Sequence, residues 1–162
     1  MWSFRLKAAA GLVLAAAMMF TSTVKAGTAA SYIDEEYIGY CEEIGKEYGI
    51  CPYLLVALIE RESSGDPTAK NGSCKGLCQV SEKWHADRMK KLGVTDIYDP
   101  YGNILLACDY IMELAEEYED VSVVLGIYHG EKNATTGKMS SYTSGILARS
   151  EELERTYYGE DY

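Results

Sequence analysis

The sequence predicts an all-α domain, with at most a minimal β element. Three observations predict it. Apolar residues recur at helical spacing through most of the chain, extended Val/Ile/Thr alternation is absent, and proline is scarce, with 3 in 162 residues. Each expected helix also carries its own start or stop signal.

Ser31 followed by Asp34 marks a helix start close to a capping box. Tyr37, Ile38, Cys41, Ile44 and Tyr48 follow at helical spacing, and Gly49 ends the helix. Pro52 suits the first turn of a second helix, which Leu54, Leu55, Leu58 and Ile59 carry to about Glu62. Residues 63–73 are rich in Ser, Gly, Asp, Pro and Asn and read as loop. Ser81 is placed to cap a third helix running to about Lys91. Asp99 with Pro100 behind it opens a fourth, with a long buried face of Ile104, Leu105, Cys108, Ile111, Met112 and Ala115. Val121 to Tyr128 is a short apolar helix. His129 to Ser141 is a polar loop, within which Asn133-Ala-Thr135 matches a glycosylation acceptor but is taken as plain loop. Tyr142 to Tyr158 is a charged, amphipathic closing helix.

The first residues read as targeting, not fold. Arg5 and Lys7 precede the uncharged apolar run Ala8–Phe20, and Val24-Lys25-Ala26 offers small residues where a signal peptidase inspects. The run is shorter than the roughly 20 apolar residues of a membrane span. Residues 1–26 are therefore expected to be a signal peptide, with an uncleaved anchor as the alternative. Either way the remaining chain, 27–162, is exported to the cell envelope or beyond, as one domain.

Removing Met1 to Ala26 takes Arg5, Lys7 and Lys25 and no acid, which moves the net charge from −10 to −13. Such a surface repels nucleic acid, whose binding needs clustered Lys and Arg. It gives no attraction to an anionic wall polymer either, so specificity must come from a shaped cleft. Five cysteines, Cys41, Cys51, Cys74, Cys78 and Cys108, leave at least one thiol unpaired within the chain. Cys41 and Cys108 occupy apolar helical positions and are expected in the core. The Cys74/Cys78 spacing lacks the second pair that a zinc site wants, so no metal and no cofactor are expected.

Leu55, Leu58 and Ile59 lie seven, four and three residues before Glu62 and share its helical face. That carboxyl therefore projects from an apolar face at a helix end beside a loop. Apolar surroundings raise a carboxyl pKa, so it holds a proton that it can give to a leaving-group oxygen. Glu60 falls on another face and is expected in water. Gln79, in Gly76-Leu77-Cys78-Gln79, offers a neutral amide suited to sugar hydroxyls and acetamido groups. Tyr128 and Tyr142 bracket the polar loop and offer flat faces with a polar tip.

Four segments then carry a resemblance, in order along the chain. Ala57-Leu58-Ile59-Glu60-Arg61-Glu62-Ser63-Ser64 resembles the Glu-Ser motif of soluble lytic transglycosylase catalytic domains, which have a lysozyme-like fold. Gly76-Leu77-Cys78-Gln79-Val80 resembles their Gly-Leu-Met-Gln motif, and Ile127-Tyr128-His129 stands at their Ala-Tyr-Asn motif. Tyr142-Thr143-Ser144-Gly145-Ile146-Leu147 resembles the start of their last helix. The departures are His129 for Asn, Ile127 for Ala and Cys78 for Met.

The resemblance implies a single lysozyme-like domain that cleaves the β-1,4 bond between N-acetylmuramic acid and N-acetylglucosamine in peptidoglycan. It implies Glu62 as catalytic acid and then base, closing a 1,6-anhydro ring. It implies substrate contacts from Ser63, Gln79, Tyr128, His129 and Tyr142, with Tyr142 also holding Glu62. Ordinary glycoside hydrolysis uses two carboxylates. The next acid, Asp66, beside Pro67, is either that second group, as in a goose-type lysozyme, or a turn residue. An inactive peptidoglycan-binding module and a thiol enzyme using Cys78 and His129 are further alternatives. The chain is expected to act as a monomer on glycan strands, directed by an envelope-spanning secretion or conjugation complex.

Overall fold

The structure is a computed structural model in which residues 29–159 are described; the expected signal segment lies outside them. Helices α1 (Glu35–Tyr48) and α2 (Pro52–Ser63) are followed by three short strands, β1 (Lys70–Asn71), β2 (Cys74–Lys75) and β3 (Val80–Ser81). Then come α3 (Glu82–Leu92), α4 (Pro100–Glu117), α5 (Val121–Tyr128) and α6 (Ser141–Tyr158). The polar loop before α6 holds one 3-10 turn, Ala134–Thr136. This is a mostly α, lysozyme-like arrangement. Among the described residues no helix is long and apolar enough to cross a membrane.

Local chemistry sets most boundaries. The Asp99 carboxylate accepts from Gly102 N at 2.7 Å at the head of α4, and Asp120 accepts from Ser122 N at 2.8 Å at the head of α5. Ser140 accepts from Thr143 N at 3.1 Å and starts α6 one residue before the expected position. At α1 the expected Ser31 cap is displaced. Asp34 accepts from Glu36 N at 3.0 Å, so the helix begins at Glu35. Ser31 instead donates to the Glu60 carboxylate at 2.6 Å, a stronger, charge-assisted bond.

Helix α2 is the centre of the molecule. Every residue from Pro52 to Glu60 is buried, because α1 and α6 pack on it. A helix apolar on nearly all sides belongs inside. This corrects the expectation that Glu60 faces water. Glu60 is 9% exposed, and its carboxylate receives Arg149 Nε at 2.7 Å and Nη2 at 3.1 Å from α6. The far side of α2 is a helix interface, not solvent, and a buried carboxylate there needs a fork of donors. The same guanidinium donates from Nη1 to the Ala29 carbonyl at 2.9 Å and from Nη2 to the Ala30 carbonyl at 3.3 Å, tying the incoming chain to the pair.

The strands are the minimal β element that the sequence allowed. They pair antiparallel in the order β1-β2-β3, with Lys70 opposite Lys75 and Cys74 opposite Ser81. Asn103, fully buried in α4, organises their far end. Its side chain accepts from Cys78 N at 2.8 Å and donates to Lys75 O at 3.0 Å and Ile97 O at 2.8 Å. Gly76 takes φ +77°, and a Cβ there would lie 2.5 Å from Asn103 Nδ2, so neither conformation nor space admits a side chain. Replacing Asn103 by Ala strands two buried backbone groups and one half-buried carbonyl and is expected to cost about 3 kcal/mol, read as a lower urea midpoint at unchanged m.

Leu55, Leu58, Ile59, Leu77, Ile104, Leu106, Ile111, Leu125, Ile146 and Leu153 fill the core. Cys41 and Cys108 are in it, as expected, and Cys78 joins them. All five cysteines are free thiols. Burial pushes the Cys78 thiol far up and Cys108 up to about 12, which leaves both as inert packing groups.

Candidate active site

Glu62 sits in the last turn of α2, which ends as Ser64 adopts a left-handed conformation (φ 55°) and sends its N–H to Glu60 O. The Glu62 side chain is 14% exposed. Helix α6 brings Tyr142 onto it, and the phenol donates to Glu62 Oε1. His129, at the end of α5, stacks its ring on Tyr142 (3.7 Å between centroids, 15° between planes) and sets Nδ1 3.8 Å from Glu62 Oε1. The Arg61 guanidinium lies 5.5 Å from the Tyr142 ring centroid. Three elements far apart in sequence thus converge on one carboxyl.

Burial raises the Glu62 pKa. The Tyr142 hydrogen bond, the His129 charge and the Arg61 charge oppose the rise without cancelling it. Burial, reinforced by the Glu62 negative charge, likewise drives the Tyr142 phenol far up, so it stays a donor. The Glu62 carboxyl thus lies above its ordinary pKa, the direction that favours the protonated form.

A cleft of about 450 Å³ adjoins this cluster, lined by Gln79, Ser81, Trp84, Tyr110, Tyr128 and His129 among others. Tyr128 donates to the Cys78 carbonyl at 2.7 Å, and Cys78 N is held by Asn103, so the wall is braced back to α4. Gln79 takes φ 51° and donates through Nε2 to Gly76 O at 2.9 Å and Ala69 O at 3.1 Å. That fixes its amide with Oε1 left as an acceptor that has no partner among the described residues.

Of the residues singled out from sequence, the structure brings Glu62, Tyr142 and His129 together and sets Gln79, Tyr128 and His129 along the cleft. Ser63 is turned back onto its own helix end, donating to Ile59 O and accepting from Gly65 N, each at 3.2 Å. Asp66 is exposed, and its Oδ1 accepts from Thr68 N at 2.8 Å and Thr68 Oγ1 at 2.7 Å. Those bonds hold its pKa below the usual range, the signature of a turn residue. Cys78 is buried and bonded through its backbone, and no contact joins its thiol to His129. Sequence reasoning missed Ser81, Trp84 and Arg88 in the cleft wall. An exposed tryptophan among Glu82, Lys83 and His85 was the available signal.

The arrangement is a helical, lysozyme-like domain in which a partly buried carboxyl lies beside His129, a residue of the cleft wall. The family model described as Transglycosylase SLT domain matches residues 39–152, more than half of the chain, and the chain belongs to that family. It is also similar to the Transglycosylase of Enterobacteria phage PRD1, at 33% identity over 104 residues. That match takes in 62% of this chain and 38% of the phage protein, so the chain spans well under half the length of that curated relative.

Proposed function

We propose that the protein is a peptidoglycan lytic transglycosylase that cleaves the bond from N-acetylmuramic acid to N-acetylglucosamine with formation of a 1,6-anhydro end. The observation that carries this reading is the solitary character of Glu62. It is a partly buried carboxyl with a raised pKa, 3.8 Å from His129, which lines the neighbouring cleft. The neighbouring acid Asp66 is tied into a turn, and the acid in the cleft wall, Glu113, is paired with Arg88. A hydrolase needs a second carboxylate to attack or to activate water. One acid suffices if the nucleophile is the sugar's own 6-hydroxyl.

In this reading Glu62 gives its proton to the glycosidic oxygen as the C1–O bond breaks. The resulting carboxylate takes the proton of the 6-hydroxyl as that oxygen bonds to C1. The Tyr142 donor steadies the carboxylate between the two steps. Gln79, Tyr128 and His129 face the strand; Ser63 reaches it only by rotating off Ile59 O. The chain is proposed to work from the cell envelope, where its export signal would deliver it, in company with a wall-crossing machine that aims it.

Mass spectrometry of muropeptides released from purified peptidoglycan tests the reaction. Anhydro-muramic ends that vanish with Glu62→Gln support it. Reducing ends would make the enzyme a hydrolase.

The pH dependence follows from the raised Glu62 pKa. The first step needs the protonated acid, so activity falls as pH rises through that pKa. Tyr142 stabilises the charged form, so Tyr142→Phe is expected to move the descending limb to higher pH. His129→Asn should move it the same way by removing the His129 interaction that lowers the Glu62 pKa. Rate–pH profiles of the three proteins check both signs; a limb that moves down in Tyr142→Phe would contradict the assignment.

A further inference from the structure

The two partners of Glu62 come from opposite ends of one loop. His129 stands where α5 ends and Tyr142 where α6 begins. That loop is closed on itself by Glu131, a half-buried residue with no part in the chemistry above. The Glu131 carboxylate accepts from Ser140 Oγ at 2.5 Å. So short an O–H···O⁻ bond is of the charge-assisted kind. Ser140 in turn accepts from Thr143 N at 3.1 Å and caps α6. A hydroxyl has one hydrogen, and Glu131 is its nearest acceptor; Thr143 Oγ1 is farther, at 3.3 Å. Giving that hydrogen to Glu131 leaves the oxygen lone pairs for Thr143 N. Glu131 therefore orients the cap as well as joining the two ends of the loop.

The α5 side is anchored too. Glu131 N donates to Gly126 O at 2.9 Å. A Cβ on Gly126 would lie 2.9 Å from the Ala134 Cβ and 3.4 Å from Glu131 Oε2. Glycine is a poor residue inside a helix, and here it makes room for the loop to pack closely on α5. Gly130, at φ +79°, turns the chain between His129 and Glu131.

We propose that Glu131 is a positioning residue for the reaction at Glu62: by clamping the end of α5 to the cap of α6, it holds the His129 and Tyr142 rings together over the carboxyl. The inference rests on the proton-transfer role proposed for Glu62 and adds what fixes the two partners of that acid. The clamp lies two residues from His129 on one side and two from Tyr142 on the other. The rings it serves are stacked 3.7 Å apart between centroids, a contact that a small slide would spoil. The His129 side chain is 46% exposed, so surrounding protein alone does not fix it. Glu131 acts through these neighbours, because its own carboxylate is engaged by Ser140.

The sign of the effect on Glu62 separates the clamp from simple loss of charge. Tyr142 from α6, His129 from α5 and Arg61 from α2 all lower the Glu62 pKa. The Tyr128 phenol and the Cys78 thiol also face it, each pushed up mainly by burial. Loosening Tyr142 and His129 raises the Glu62 pKa. Deleting a nearby negative charge would by itself lower it.

The test follows Glu62 in the full chain in two ways: the rate–pH profile on peptidoglycan, and an NMR titration of isotope-labelled glutamate carboxyls. The Glu62 signal is the one missing from Glu62→Gln. Glu131→Ala is expected to move the Glu62 titration and the descending limb up by about 0.5 pH unit. Ser140→Ala, which removes the other half of the clamp, should do the same. Glu131→Gln keeps an acceptor for Ser140 and should shift less. Thr136→Ala removes a bond to Asn133 O within the same loop but outside the clamp, and should shift nothing. In a Tyr142→Phe/His129→Asn background the Glu131→Ala shift should vanish. An unmoved or lowered Glu62 titration in Glu131→Ala, an equal shift in Thr136→Ala, or a full shift in the double background would each overturn the clamp. A normal response to Tyr142→Phe beside a flat Glu131→Ala would remove the clamp and keep the role of Glu62. No response to Tyr142→Phe would overturn both.

Discussion

Glu62→Gln is expected to lower the rate of glycan release at least about 1,000-fold while leaving the fold and the binding of strands nearly unchanged. In the proposed reaction one group supplies both the proton that frees the leaving oxygen and the base that receives the 6-hydroxyl proton, and each role is worth about 100-fold or more. The amide keeps the shape of the side chain and accepts the Tyr142 hydrogen bond through its oxygen. Binding measured by pull-down on insoluble peptidoglycan should therefore persist. A variant that clears walls at the wild-type rate would remove Glu62 from the chemistry. It would leave the family's fold with a different function, such as a binding module.

Arg149→Met is expected to lower stability by about 3 kcal/mol. The guanidinium makes two bonds to the Glu60 carboxylate, two to backbone carbonyls at Ala29 and Ala30, and one to Glu152 at 2.8 Å. Removing it strands a carboxylate with 7% side-chain exposure between α2 and α6. Breaking a buried pair from one side costs about 3–5 kcal/mol, and the partial exposure of Arg149 places this one at the lower end. Pairing Arg149→Met with Glu60→Leu removes the stranded charge and should restore most of the loss. Urea unfolding of the two single variants and the double decides it; a strictly additive double would show that the pair is not coupled. Helix α6 carries both Arg149 and Tyr142. The same variants should therefore lose some activity, by loosening the helix that presents Tyr142 to Glu62.

Much of the fold was legible because its signals are local. Asp99-Pro100 marks the head of α4, and Gly49 ends α1 in the left-handed conformation that glycine adopts at little cost. Strands of two residues leave no period to detect, so the sheet showed only as a possibility. The α1 cap shifted from Ser31 to Asp34 because a charged partner 29 residues away competed for the Ser31 hydroxyl. Nothing local marked Asn103 as the brace of the cleft wall, because its partners at Lys75 and Cys78 lie 25 or more residues away.

The sequence by itself determined the helical class, the ends of most helices, the membership of Cys41 and Cys108 in the core, and the candidacy of Glu62. Each depends on residues within a turn or two of one another, or on periodicity along one helix. Tertiary structure alone decided that Glu60 is an interior ion-pair partner, that Tyr142 and His129 meet at Glu62, that Asp66 and Ser63 turn away into local bonds, and that Trp84, Ser81 and Gln79 share a cleft. These are statements about which helix faces which. A helical pattern says that a face is apolar or polar; whether solvent or another helix covers it depends on packing between segments that lie far apart in the chain.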